Sequence, residues 1–295
     1  MKKLITGMMA VVMMAGLAGC GSKDDGNKEG GNAEKKELTV YTNSGYKPYE
    51  MVDEKGNLYG FDIDVMNEAA KLAGYTVKWE DVDFDGIVPS VKQGKADIGI
   101  AGITYTEERA EQVDFSEVYY VGEDAQNYVL TMKDSGMKKT EDIKGKKIGT
   151  QMGTIQESIL NSLQDEYKLK LDKRKAYSDM VLEMKKGVID AMVVEKAVAE
   201  ELAADNSDLT FYKFEAGAEL AGNAMIFQKD NKLKDEFNTA IQTMKDNGKM
   251  DELVNAGKLE EAKKVQYAAN DIIYKMCSCR GNMYGVIKEM LRINE

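Results

Sequence analysis

Short apolar strands that alternate with amphipathic helices are the feature that most limits how this chain can fold. Residues 38–42 form a β-rich run, residues 62–73 place apolar side chains on one helical face, and residues 96–101 read as a buried strand. Strands alternating with helices predict a parallel sheet covered by helices. The same alternation recurs downstream, with predicted strands near residues 147–151, 168–171 and 189–194.

A faint internal repeat predicts two lobes of like topology. Residues 91–98 and 184–191 each run from a helix through a glycine stop into a strand. The matched pairs are Gly94 with Gly187, Asp97 with Asp190, and Phe84 with Tyr177. Ligands of open parallel sheets bind outside the carboxyl ends of the strands, so two facing lobes would enclose a cleft. The strand ends at that cleft are residues 43–46, 101–104, 151–154 and 195.

The N-terminus has the pattern of a secretory signal. Lys2 and Lys3 precede an apolar stretch, residues 4–17, that is too short to span a bilayer as a helix. The following Leu-Ala-Gly-Cys resembles the bacterial lipobox, which implies cleavage before Cys20 and lipid on that cysteine. A single acyl chain binds membranes only marginally, so stable anchoring needs several. The alternative for Cys20 is a buried or free cysteine.

Composition excludes several classes of function. The formal net charge is -11 for the whole chain, and such a surface repels nucleic acid and anionic membranes. The chain contains no histidine, which excludes histidine triads and the usual zinc sites. Besides Cys20 only Cys277 and Cys279 are present, and they make a poor metal site without further ligands. We therefore expect no disulfide framework, no metal and no cofactor.

Several fragments in a fixed order carry a family resemblance. They are residues 48–50, 60–64, 83–89, 94–97, 101–109, 113–116 and 119–120. In this order they resemble the family 3 extracellular solute-binding proteins, the amino-acid receptors of ABC importers, and the resemblance covers roughly residues 37–258. It implies an α/β chain with the type II periplasmic-binding-protein fold. In that fold two lobes are joined by two crossing strands, expected here near residues 119–123 and 219–223.

The resulting division of the chain has five parts. Residues 1–19 are the expected signal peptide, and residues 20–37 are a lipidated N-terminus and polar tether with almost nothing to bury. The first lobe is predicted to comprise residues 38–120 plus 222–258, and the second residues 121–221. Residues 259–295 form a C-terminal tail to which the sequence assigns no role.

Arg109 is the candidate group for a ligand carboxylate. Its planar fork suits a bidentate carboxylate contact, and it falls near the start of a short helix opened by Thr104 or Thr106, where free N–H groups favour an anion. The alternative is a solvated arginine on a charged helix face. The resemblance also implies that the Thr104 hydroxyl binds this carboxylate and that backbone groups of Ala101 and Gly102 lie close by. The alternative for Thr104 is a helix cap.

Glu195 is the candidate group for a ligand ammonium. It follows a predicted buried strand and would face the cleft, where an isolated carboxylate is costly unless it is paired. The alternative is a surface ion pair with a lysine. Through the resemblance, Tyr46 and Phe84 become aromatic walls of the cleft, whereas Tyr49 is more typical of packing.

Three further positions come from the resemblance. Residues 149–154 resemble the second-lobe segment that completes the carboxylate site, which adds Gln151 and Thr154 to the ligand-binding set. Several relatives carry a carboxylate at the position of Asn43. A neutral amide there favours a polar neutral amino acid over a cationic one.

These features predict a lipid-anchored extracytoplasmic protein that captures an L-amino acid between two closing lobes. We expect it to be a monomer, to deliver its ligand to the permease and ATPase subunits of an ABC importer, to touch the membrane only through its lipid, and not to be an enzyme. The alternatives are a cyclohexadienyl or arogenate dehydratase-like enzyme of the same fold, the sensory module of a receptor or channel, and a lipoprotein adhesin. The dehydratase needs an additional acid or base, for which Glu50 is the open candidate.

Overall fold

The computed structural model describes residues 36–122, 126–216 and 221–256. The predicted signal peptide, the lipidation site Cys20, nearly all of the tether and the tail of residues 259–295 lie outside this part of the chain. Within it, no helix is both long and apolar enough to cross a bilayer.

Twelve strands are found in the described residues, several of them only two residues long. In chain order they are β1 (Glu37–Thr42), β2 (Met51–Val52), β3 (Leu58–Tyr59), β4 (Thr76–Asp81), β5 (Ile98–Gly99), β6 (Asp114–Phe115), β7 (Asn127–Met132), β8 (Lys147–Gln151), β9 (Lys170–Arg174), β10 (Ala191–Glu195), β11 (Leu209–Lys213) and β12 (Ile226–Phe227).

Eight α-helices accompany these strands in the same part of the chain. They are α1 (Phe61–Ala73), α2 (Ile87–Lys92), α3 (Glu107–Ala110), α4 (Ile155–Tyr167), α5 (Tyr177–Lys185), α6 (Lys196–Asp205), α7 (Leu233–Asp246) and α8 (Lys249–Ala256). Helix α1 ends at Gly74, as predicted, and buries Ile63, Met66, Ala69 and Ala70. The predicted strand of residues 96–101 is observed over only two residues, Ile98–Gly99.

Two five-stranded mixed sheets carry the fold. The first has the order β4-β1-β5-β12-β6, and the second has the order β11-β7-β10-β8-β9. Strand β1 runs parallel to β4 and β5, and β8 runs parallel to β9 and β10. These two groups are the parallel, helix-covered strands that the sequence predicts.

The predicted parallel arrangement does not extend to the remaining strands of the two sheets. Strand β12 is antiparallel to both β5 and β6, and β7 is antiparallel to both β10 and β11. Strands β7 and β12 are the first strands that the chain forms after it passes from one sheet to the other. They therefore enter their sheets from the opposite end, which a pattern of strands and helices alone does not reveal.

The internal repeat is visible as the same hydrogen bond in both sheets. The Asp97 carboxylate accepts the backbone N–H of Thr39 at 2.8 Å, and the Asp190 carboxylate accepts the backbone N–H of Lys147 at 2.7 Å. In each lobe this aspartate ties the start of one parallel strand to the start of its neighbour. The repeat is therefore a structural repeat of the two lobes.

The chain passes between the two sheets through segments that lie side by side. The Tyr119 N–H donates to the Asn223 carbonyl at 3.0 Å, and the Asn223 N–H donates to the Tyr120 carbonyl at 2.8 Å. These residues fall where the sequence places the two crossings, although Glu123 and Glu219 lie outside the described residues. The exact lobe boundaries stay a prediction.

Candidate functional site

A partly open cavity lies between the carboxyl ends of strands from both sheets. All ten residues that the sequence assigns to ligand binding line it: Asn43, Tyr46, Phe84, Ala101, Gly102, Thr104, Arg109, Gln151, Thr154 and Glu195. The cavity is therefore bounded by side chains from both lobes.

Arg109 joins the two lobes across this cavity. Its Nη1 donates to the Thr104 carbonyl at 2.7 Å and its Nη2 donates to the Gly153 carbonyl of the second lobe at 2.9 Å. The residue is only 9% exposed, and burial lowers the pKa of its guanidinium to about 10. Arg109 therefore stays cationic at neutral pH and is not the solvated surface arginine of the alternative interpretation.

Thr106, and not Thr104, begins helix α3. The Thr106 hydroxyl accepts the backbone N–H of Arg109 at 3.1 Å, whereas Thr104 forms an isolated bridge with Asn223 beside the crossing segments. Thr104 is 4% exposed and lines the cavity. Its hydroxyl is therefore not used as a helix cap.

The start of helix α4 forms the second-lobe wall near Arg109. Thr154 is the N-cap, and its hydroxyl accepts the backbone N–H of Glu157 at 3.1 Å and donates to the Gln151 carbonyl at 2.8 Å. The N-terminus of this 13-residue helix carries partial positive charge. The Gly153 carbonyl, just before this helix, accepts a hydrogen bond from the Arg109 guanidinium. The helix start and Arg109 therefore lie together and give one end of the cavity a positive potential suited to a carboxylate.

Glu195 supplies the negative charge of the cavity. It ends β10 and precedes α6. Burial raises the pKa of its carboxyl group to about 7, while the hydrogen bond with Tyr46 lowers it, the charge of Asp62 raises it and the charge of Arg109 lowers it. A cation placed beside Glu195 would stabilise its ionised form.

Aromatic rings form the cavity wall of both lobes. Tyr46 stacks on Tyr177 with ring centroids 5.3 Å apart, and on its other neighbour Tyr49 at 5.2 Å. The Phe84 ring centroid lies 5.6 Å from the Arg109 guanidinium carbon. Tyr49 is buried and does not line the cavity, in agreement with the packing role that the sequence favours.

Two amide side chains meet across the cleft in an orientation fixed by backbone carbonyls. Asn43 Nδ2 donates to the Val82 carbonyl at 2.8 Å, and Gln151 Nε2 donates to the Lys175 carbonyl at 2.8 Å. Since carbonyls only accept, neither amide can be turned around. Gln151 Nε2 also donates to Asn43 Oδ1 at 2.9 Å, so both of its hydrogens are used, and Gln151 Oε1 remains as a hydrogen-bond acceptor.

Comparison with known proteins gives this cavity a family context. The sequence profile of the bacterial extracellular solute-binding proteins, family 3, matches residues 38–256. The chain belongs to this family. It is therefore a solute-binding protein, and the family resemblance of its sequence motifs is confirmed.

Individual relatives match most of this solute-binding protein. The arginine-binding extracellular protein ArtP of Bacillus subtilis (strain 168) is 39% identical over 254 residues, which cover 86% of this chain and 96% of ArtP. An ancestral arginine-binding protein bound to arginine matches with a TM-score of 0.69 and 34% identity, covering 75% of this chain and 98% of the other. The substrate-binding protein of an amino acid ABC transporter matches with a TM-score of 0.69 and 33% identity, over 75% and 98% of the two chains. The predicted type II periplasmic-binding-protein fold is confirmed.

Three residues of the cavity wall were missed by the sequence reasoning: Ile155, Gln156 and Tyr177. Tyr177 matches Phe84 in the internal repeat, so extending the aromatic wall to the second lobe would have found it. Ile155 and Gln156 are the first residues of α4, and the N-cap pattern at Thr154 is the signal that points to them.

Glu50, the open candidate for an enzymatic acid or base, does not line the cavity. Its exposure is 0%, and the cavity wall in its vicinity is formed by Tyr46. Among the described residues no cluster of acidic or cysteine side chains is arranged to hold a metal ion.

Proposed function

We propose that this solute-binding protein is the extracytoplasmic receptor of an amino-acid ABC importer and releases its ligand unchanged. The observation that carries the proposal is the pairing of charges in the cavity, where Arg109 and the start of α4 match a carboxylate and Glu195 matches an ammonium. A free amino acid presents both groups a few ångströms apart. Neither a dicarboxylate nor a simple amine would satisfy both ends of the cavity.

The ligand side chain that we propose is basic, with L-arginine first. Gln151 Oε1 is an acceptor, and a guanidinium offers five N–H donors in a plane. Phe84 and Tyr177 also line the cavity, and a guanidinium stacks well on an aromatic ring. Two of the relatives, ArtP and the ancestral protein, are named as arginine-binding proteins, which supports this choice. The polar neutral amino acid that Asn43 favours is the second candidate, because a glutamine or asparagine amide also donates hydrogen bonds to the Asn43–Gln151 pair.

Ligand binding would stabilise the closed arrangement of the lobes, which the permease would recognise. Closure brings together Arg109 with Gly153 and Asn43 with Gln151. The ligand adds to these contacts only where it touches both lobes, and only such contacts shift the equilibrium toward the closed form.

Lys47 forms an ion pair between the lobes at the rim of the cleft, and its removal should weaken binding slightly. Lys47 Nζ lies 2.8 Å from a Glu201 oxygen and 3.1 Å from an Asp205 oxygen. Exposed pairs contribute only about 0.2–1 kcal/mol, so Lys47→Ala should raise the Kd about 1.4- to 5-fold. Isothermal titration calorimetry at low salt measures this change.

Two controls define the origin of the Lys47 effect. Lys71 is an exposed lysine paired with Glu68 within the first lobe, so Lys71→Ala should leave the Kd unchanged. In about 1 M salt, where charges are screened within about 3 Å, the Lys47→Ala effect should vanish. An effect that persists in high salt would contradict an electrostatic origin.

We further propose that Cys20 carries the lipid anchor and that the polar tether of residues 20–37 connects it to the two lobes. The division into lobes of residues 38–120 plus 222–258 and 121–221, the monomeric state and the contact with permease and ATPase subunits belong to the same proposal. Replacing Cys20 with alanine in the native host should release the protein from the membrane fraction. Retention of the Cys20→Ala protein in that fraction would contradict lipid anchoring at this residue.

A thermal-shift panel tests the proposed ligand. The soluble protein from residue 38 onward, freed of co-purified ligand, is heated with each common amino acid. A ligand at about 100 times its Kd adds ~2.7 kcal/mol, which raises the Tm by about 5–10 °C for a chain of this size. We expect the largest shift with L-arginine. A shift with glutamine alone would favour the second candidate, and shifts with no amino acid together with turnover of an arogenate-like acid would favour the dehydratase.

A further inference from the structure

Two buried carboxyl groups lie behind the first-lobe wall of the cavity. Glu50 and Asp62 are each 0% exposed, and neither lines the cavity. Their chain segments are adjacent, because the Asp62 N–H donates to the Tyr49 carbonyl at 3.1 Å. Buried carboxyl groups are costly unless they are paired or protonated, so the pair needs an explanation.

Each member of the pair is attached to a segment that faces the ligand cavity. The Glu50 backbone N–H donates to the Tyr46 carbonyl at 3.0 Å, and its carbonyl accepts the Tyr46 N–H at 3.0 Å. Asp62 Oδ2 accepts the Gly102 N–H at 2.7 Å and the Tyr119 hydroxyl at 2.8 Å. The Glu50 backbone is thus part of the loop of Tyr46, and the Asp62 side chain holds the strand end at Gly102, so a contact between the two carboxyl groups would connect the loop to the strand end.

The two held segments touch one another in the cavity wall. Gly102 has a φ of +56°, and a Cβ added to it would lie 2.8 Å from Tyr46 Cε1. Such a separation leaves no room for a side chain, and the left-handed backbone at Gly102 itself favours glycine. A small displacement of either segment would therefore move both the Tyr46 ring and the adjoining backbone of the site.

Three of the four carboxyl oxygens of Glu50 and Asp62 lack a hydrogen-bond donor among the described residues. Both carboxyl oxygens of Glu50 and Asp62 Oδ1 are buried and accept no N–H or hydroxyl hydrogen bond in that part of the chain. Glu50 and Asp62 lie on adjacent segments, and a hydrogen bond between their carboxyl groups would satisfy an oxygen of each. Two carboxyl groups can form such a bond only when one of them carries a proton.

The contacts indicate which carboxyl group holds this proton. Asp62 receives two donors on Oδ2, which stabilise its ionised form, although burial raises the pKa of Asp62 overall. Burial, and next the charge of Asp62, raise the pKa of Glu50 well above its usual value. In a hydrogen bond between the two carboxyl groups, Glu50 would therefore be the donor and Asp62 the acceptor.

The groups around Glu50 reinforce its neutral form. The titratable groups that face it are the carboxyl groups of Asp62, Asp81 and Glu195 and the hydroxyl groups of Tyr46, Tyr49, Tyr119 and Tyr177. Each of these groups is acidic, so each would repel an ionised Glu50 when charged.

We propose that Glu50 and Asp62 hold one proton between them and act as positioning residues for the Tyr46 and Gly102 walls of the cleft. The positioning of a ligand wall rests on the proposed function, whereas the shared proton does not. Tests of the two parts are therefore kept separate. One uses the protein without ligand, and the other uses L-arginine.

The shared proton is tested by the pH dependence of stability. Between the usual carboxyl pKa and the raised pKa of Glu50, the folded protein keeps a proton that the unfolded chain releases, so stability falls as pH rises. Glu50→Gln keeps a hydrogen-bond donor for Asp62 but has no proton to lose. Relative to the wild type, the folding equilibrium constant of Glu50→Gln should rise about tenfold per pH unit across this window.

Urea unfolding of the ligand-free protein from about pH 5 to about pH 8 measures this difference. Glu54 is exposed and lies four residues away, so Glu54→Gln serves as the matched control and should follow the wild type. If the free energy of unfolding depends on pH in the same way for the wild type and Glu50→Gln, the shared proton is overturned, whichever ligand the protein binds.

The positioning role is tested by titration with L-arginine at about pH 6. Glu50→Gln should bind within about threefold of the wild type, whereas Glu50→Ala, which leaves the Asp62 carboxylate without its donor, should bind at least about tenfold more weakly. Equal binding by folded Glu50→Ala would overturn the positioning role. If Glu50→Ala does not fold, a loss of at least about tenfold in stably folded Glu50→Gln would overturn it instead, because that variant keeps the hydrogen bond.

Discussion

Replacing Arg109 with alanine should weaken the binding of L-arginine by about 30-fold to several thousand-fold, which corresponds to roughly 2–5 kcal/mol for loss of one partner of a desolvated charge pair. The variant leaves the ligand carboxylate without its cation inside the closed cleft. It also removes the hydrogen bonds to the Thr104 and Gly153 carbonyls, and with them one of the contacts that join the lobes. Isothermal titration calorimetry of the purified variant gives the change in Kd.

Two further variants show whether the Arg109 effect comes from its position and shape. Arg174 is an arginine of the second lobe that pairs with Asp172 and Glu183, and Arg174→Ala should leave the Kd within about twofold because this side chain is outside the cavity. Arg109→Lys keeps the charge but loses the planar fork, so its loss should be intermediate. A Kd for Arg109→Ala within about threefold of the wild type would mean that the carboxylate binds elsewhere.

Lowering the pH should weaken ligand binding through Glu195. Burial raises the pKa of this carboxyl group to about 7, and a bound ammonium stabilises the ionised form and so lowers that pKa. Below about pH 7 the ligand-free protein is protonated at Glu195, and binding must release that proton. The Kd should therefore rise about tenfold for each pH unit below about 7, until the pKa of the complex is reached.

Calorimetry in buffers of different ionisation enthalpy measures the release of the Glu195 proton on ligand binding. At about pH 6 it should give about one proton released per ligand bound. Glu195→Gln should bind more weakly at neutral pH and show no such dependence, since an amide neither pairs with the ammonium nor titrates. Glu166→Gln changes an exposed carboxylate of α4 and should behave as the wild type. A wild-type Kd that stays constant between about pH 5.5 and 7.5 would contradict the role given to Glu195.

The parts of the fold that the sequence predicts are those set by local pattern. The apolar spacing of residues 62–73 and the following Gly74 predict α1, and the spacing from Gly94 to Asp97 recurs from Gly187 to Asp190 because the same strand-to-strand hydrogen bond is made in both lobes. The strand ends at the cleft follow from the carboxyl-end rule for parallel sheets. The antiparallel entry of β7 and β12 escapes this reasoning, because strand direction depends on how the chain crosses between lobes.

The sequence predicts the cavity residues that are charged or that belong to a motif. It predicts less well the roles that depend on contacts between residues far apart in the chain. Arg109 and Glu195 stand at strand and helix ends that a pattern can locate. The amide orientation of Asn43 and Gln151 depends on carbonyls at Val82 and Lys175, which no spacing in the sequence brings together. The proximity of Glu50 to Asp62 is likewise not visible in the sequence. From the sequence alone Glu50 is therefore an open catalytic candidate, whereas its burial beside Asp62 supports the proposed positioning role.

The central claim is that the cleft binds the carboxylate and ammonium of one amino acid together, and one pair of titrations tests it most directly. The purified protein, freed of ligand, is titrated at about pH 7.5 with L-arginine and with agmatine, which is arginine without its carboxylate. We expect saturable binding of one L-arginine per chain, and binding of agmatine that is weaker by at least about 100-fold, because Arg109 and the start of α4 would face no anion. Equal affinity for the two compounds would contradict the claim.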